Sequence, residues 1–146
     1  EALRASERLM ARGRSACVTA LVEPARFRAG RDDIETAYAA SEAQRRHFFP
    51  DETPRVFLTH TRPEPMLGAL RRLGAGPSRT SALGFINRGG TLDVFGMLFA
   101  NRSTWAHALE AAARILGCDR EELISDVELR ALDGRGDPNV LRVAPQ

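Results

Sequence analysis

The sequence has no lysine: all 21 of its basic side chains are arginine. A P-loop is thereby excluded, because its phosphate cradle is completed by a lysine after the glycines. Guanidinium forks do bind phosphate bidentately. Here they are spread from Arg4 to Arg142, with Arg45-Arg46 and Arg71-Arg72 the adjacent pairs, and 19 acidic residues reduce the net charge to +2. Such a balance carries no nucleic-acid footprint, and the arginine bias is read as codon usage. Cysteine is scarce too. Cys17 and Cys118 stand alone without C-x-x-C spacing, so neither a zinc site nor a redox motif is written here. His47, His60 and His107 lack metal-ligand spacing, H-E-x-x-H is missing, and no G-x-S-x-G elbow marks a nucleophile. No apolar run approaches the ~20 residues that span a bilayer. A cytoplasmic protein binding neither membrane nor nucleic acid is therefore expected.

What is present is an ordinary globular composition, 43% hydrophobic and 27% charged over 146 residues, enough for one core. Leu3, Leu9 and Met10 with Ala2 and Ala5 form a helical stripe over Ala2 to Arg12, and Gly13 stands where a left-handed terminus belongs. Glu1 lies inside this apparent helix, so the chain is expected to be a piece of something longer. Ala16 to Val22 is almost wholly apolar, the pattern of a strand covered on both faces, with Cys17 a small core residue. One helix is expected from Asp33 to Phe48, its inward face marked by Ile34, Ala37, Tyr38, Ser41 and Phe48.

Val56-Phe57-Leu58 reads as a second strand ending at Thr59-His60. Pro63 opens a helix with Met66, Leu67, Leu70 and Leu73 on one side. A third strand runs from Thr80 to Phe85, a short helix follows near Asp93 to Ala100, and a longer one runs from Thr104 to Leu116 with Ser103 as N-cap and Gly117 closing it. On that helix Trp105 and His107 are two residues apart, so one should pack and the other point outward. Asp119 and Glu122 are spaced as a capping box, Val127 to Leu132 suits another helix, and the tail from Gly134 reads as extended and loosely held. The alternation implies an α/β fold: a three-layer α-β-α sandwich with a mostly parallel sheet, lacking a strand that would precede Glu1.

In open parallel sheets the ligand crevice lies beyond the carboxyl ends of the strands. Thr59 and His60 at one strand end, with Asn87 and Arg88 at the other, are accordingly the candidate site residues. Thr91 joins them because Gly89-Gly90-Thr91 before a helix can cradle an anion on backbone N–H groups.

The motifs in order are Pro54-Arg-Val-Phe-Leu-Thr-His60 followed by Pro63 and Arg71-Arg72, then Gly84-Phe85, Gly90-Thr91, Phe95-x-Met97, Asn101 and the Trp105/His107 pair. Through these the chain resembles the C-terminal domain of the transketolase superfamily, the thiamine-diphosphate enzymes, and phosphoketolase most of all. The resemblance covers about Ala2 to Leu116. It implies a transketolase C-terminal-like domain over residues 1–117 and a helical extension and tail over 118–146. It also implies an enzyme of carbohydrate metabolism acting on ketose phosphates, with thiamine diphosphate and a divalent metal held by N-terminal diphosphate and pyrimidine domains and none by this chain alone. Homodimer assembly is implied as well, with Thr59, His60, Asn87, Arg88 and Thr91 lining an interface or substrate channel. Two alternatives stand beside it: a 2-oxoacid decarboxylase of the pyruvate dehydrogenase kind, and a non-catalytic module that binds a small anion.

Overall fold

The computed structural model describes residues 1–87 and 90–142. At its centre lie two parallel strands, β1 (Arg55–Leu58) and β2 (Thr80–Leu83), paired Arg55 to Thr80 through Leu58 to Leu83. The mixed α/β class is thus present, but the three-layer sandwich is not, because the sheet has two strands among the described residues. The crossover between them is α4 (Pro63–Ala69), where Pro63 supplies the preset φ of a first helical turn.

The expected first strand is the main correction. Residues 14–21 form no regular element, and Ala16 to Val22 is exposed apart from Ala16 and Leu21. Cys17 is likewise exposed rather than core. An apolar run predicts a buried strand only where neighbouring strands exist to cover it, and here only Leu21 packs inward.

The helix expected over Asp33 to Phe48 is two helices, α2 (Asp33–Tyr38) and α3 (Glu42–Phe48). Ser41 breaks it, since its hydroxyl accepts from Gln44 N–H while the Gln44 side chain accepts from Ser41 N–H, a reciprocal cap that starts a new helix. The single inward face is lost with the break: Ile34 and Tyr38 on α2 and Phe48 at the end of α3 are exposed, and Arg45 and Phe49 are buried instead.

Two cores sandwich the strand pair. On one face Phe57 packs with Phe49, Leu70 and Leu73, joined by Leu21, Phe27, Met66 and Ala82; the inward side expected for α4 is borne out. On the other face α6 (Trp105–Leu116) lies across both strands. Val56, Leu58 and Leu83 meet its core there. Its five alanines let it be approached from all sides: by α1 (Ala2–Ala11), by α5 (Val94–Ala100) through Phe95 and Phe99, and by α7 (Asp126–Leu132). Gly117, at φ +68°, ends it in the left-handed conformation that a glycine adopts cheaply.

This central position overturns the expectation for Trp105 and His107. They do leave α6 in different directions, yet both are buried, because α6 is enclosed on several sides. The tail is also held more firmly than its composition implied. Pro138–Arg142 is a 3-10 turn, Leu141 is buried, and its carbonyl accepts the Trp105 indole N–H at 2.9 Å.

Candidate functional site

Two open clefts lie at the carboxyl end and along the side of the strand pair. The first, of about 320 Å³, sits beyond the strand ends between Thr59, His60 and Phe85 on one side and Leu92, Met97 and Leu98 on the other. Thr59 Oγ1 accepts from Thr61 N–H at 3.1 Å and lies 3.0 Å from Thr61 Oγ1, a side-chain turn that leaves His60 exposed at the rim.

Of the expected site residues, this cleft brings together Thr59 and His60. Asn87 is exposed at φ +59° and Thr91 is exposed just before α5; neither lines this cleft. Arg88 and Gly89 lie outside the described residues. Gly84 allows the two strand ends to meet: a Cβ there would run into the Thr61 carbonyl oxygen and fall 2.6 Å from Thr59 Cγ2.

The second cleft, of about 490 Å³, runs along the free side of β2 beneath α6. Asn101 is shared by both clefts and is buried. Its Oδ1 accepts from Ile86 N–H at 2.9 Å and its Nδ2 donates to the Met97 carbonyl at 2.8 Å, tying the end of β2 to α5. The Asn101 and His107 of the family-like motif are therefore structural neighbours of the cleft.

His107 lies 2.8 Å through Nδ1 from Thr104 Oγ1 and meets Phe99 edge to face. Burial first, and the nearby Arg102 charge second, push its imidazole down to about 4 despite an opposing pull from Glu110. It is neutral at pH 7. The fully buried Thr104 hydroxyl has this ring nitrogen as its partner. We assign the hydroxyl as donor, which leaves the proton on Nε2.

Glu110 is held between Arg102 at 3.1 Å and Arg120 at 3.0 Å. Arg114 Nη2 donates to Ser81 Oγ at 2.9 Å. Sequence reasoning passed over this side of the molecule, since Ser81, Glu110 and Arg114 belong to no motif; only their placement across β2 and α6 groups them. No family, no curated protein and no solved structure matches the chain.

Proposed function

We propose that this chain is the C-terminal domain of a cytoplasmic thiamine-diphosphate enzyme that acts on ketose phosphates, of phosphoketolase or transketolase type. In this reading the domain serves packing and dimer assembly, and the chemistry resides elsewhere. One observation supports it above others: the motif residues are mechanically linked. Gly84 lets the strand ends touch, Asn101 locks the segment after β2 onto α5, and Trp105 and His107 anchor α6 on two sides.

Among the described residues no three metal-ligating side chains cluster; the reading assigns the diphosphate and metal to partner domains of the intact enzyme. Among the described residues the sheet has two free edges, and in the intact enzyme further strands would cover them; Ala16 to Val22 is the apolar segment suited to one. His60, Asn87, Arg88 and Thr91 would then line the interface or channel mouth.

The test is an assay of the full-length protein with thiamine diphosphate and Mg²⁺. Consumption of xylulose 5-phosphate supports the reading. Turnover of pyruvate instead supports the 2-oxoacid decarboxylase alternative, and turnover of neither sinks both. In that protein His60→Ala is expected to lower turnover or weaken the dimer; if both are unchanged, the role given to His60 is wrong.

A further inference from the structure

We propose that the cleft along the free side of β2 binds a small monocarboxylate with an apolar body, its carboxylate seated on Arg114. This does not rest on the thiamine-enzyme reading.

Arg114 is preorganised and electrostatically unspent. Its tether is Ser81, itself 7% exposed, and that bond uses one nitrogen of the guanidinium. Arg114 makes no ion pair among the described residues, whereas Arg102 beside it is paired with Glu110. Glu110, the acid of the cleft, is matched by Arg102, while Arg120, which also reaches Glu110 from outside the cleft, is balanced by Asp133 at 2.9 Å and by Glu121. One positive charge is left over, and one negative charge balances it. A phosphate monoester would bring close to two, one more than this surplus matches.

The rest of the lining selects the body of the ligand. Pro63, Leu83, Ile86 and Ala111 are apolar walls. Arg79 and Leu83 carbonyls accept from β1 and Phe85 N–H donates toward the same side, so alternation turns the Ala82 N–H outward to the free edge. His107 lies seven residues before Arg114 on α6, two turns or about 10 Å away, and its ring lines the far end of the cleft. The cleft is thus rich in donors with its acid already taken, the composition that suits an anion with an apolar stem.

The experiment is calorimetric titration of the full-length protein at low salt with 4-methylpentanoate, its neutral isostere 4-methylpentanamide, and inorganic phosphate. The acid is expected to bind about tenfold tighter than the amide, the scale of one charge-assisted hydrogen-bond pair. Arg114→Gln should abolish the difference without shifting the melting temperature, since Arg114 is exposed. Ser81→Ala should weaken acid binding by loosening the tether. Arg79→Gln, which removes a surface cation paired with Glu52, should leave it unchanged. No binding of the acid, equal binding of acid and amide, undiminished binding in Arg114→Gln, or tighter binding of phosphate than of the acid would each overturn the proposal. Turnover of xylulose 5-phosphate is a separate readout, so failure here is distinguishable from failure of the enzyme reading.

Discussion

At the scale of the residue, His107 and Arg8 set the expected responses to pH and mutation. In the unfolded chain an imidazole titrates near 6.5, and in the fold His107 is pushed down to about 4. Between those pH values the unfolded chain takes up a proton that the folded chain refuses. The stability from this group is therefore complete above pH 6.5 and declines as pH falls toward 4, by about 3 kcal/mol in all. Urea unfolding at pH 7, 5.5 and 4 should show this slope, and His107→Gln should flatten it. Glu35 and Glu42, held near 2 chiefly by hydrogen bonds from Arg31 and Arg45, act in a lower window; their contribution fades only as pH drops below about 4. Arg8 is nearly buried, donates to both Glu128 oxygens at 3.1 and 2.8 Å, and lies 5.2 Å from the Trp105 ring centre. Burial alone would raise the Glu128 carboxyl, yet bonds from Arg8 and Ser125 outweigh it and hold the group below its ordinary value. Glu128→Ala leaves the guanidinium buried and unmatched, and a loss of about 3–5 kcal/mol in chemical unfolding is expected. Gly84→Ala pushes a methyl into the Thr61 carbonyl and the Thr59 side chain and should cost about 1–3 kcal/mol.

At the scale of the element, α6 decides the packing, and its alanines decide α6. Ala106 and Ala113 are essentially inaccessible, and Ala112 lies in the same core. Ala113→Leu adds volume where no void awaits it, and a destabilisation of about 1–3 kcal/mol by thermal or urea unfolding is expected. The helix start is capped from afar: the Glu1 carboxylate accepts from Trp105 N–H at 2.6 Å, while Thr104 turns its hydroxyl to His107. Local capping logic pointed to Ser103, whose hydroxyl instead donates to the Leu98 carbonyl at 3.2 Å. By contrast Asp119 caps as its spacing foretold, because the reciprocal Glu lies three residues on and no tertiary partner competes; Ser125 and Glu128 form a second such box that the sequence reading did not single out. Caps were legible where both halves sit within one turn, and not where the partner came from the other end of the chain.

At the scale of the whole molecule, apolar surface is left without cover. Val22 is 88% exposed, Ile34 82% and Val94 79%, and Val18 is exposed beside Val22 on the irregular segment before Pro24. Replacing Val18 and Val22 together by Lys should change unfolding free energy by no more than about 0.5 kcal/mol and reduce self-association in sedimentation velocity. A larger loss of stability would mean that the segment packs in solution as the expected strand. The strand-end cleft was partly legible, since Thr59 and His60 close the one strand that the pattern placed within a residue of its true limits. The lateral cleft was not, for it joins Ser81 and Arg114 across 33 positions.

Elements whose causes are local could be read from the order of residues alone. Pro63 opening α4, Gly117 ending α6, the apolar side of α4 and the capping boxes all follow from dihedral preference, periodicity or bonds closed within a turn. The number of strands, the burial of both Trp105 and His107, the docking of Leu141 and the company of Arg114 were decided by tertiary structure. Burial depends on which distant surface arrives: the same apolar run is core beneath a neighbour and exposed without one, and an arginine is spent or unspent according to the acid that folding brings to it.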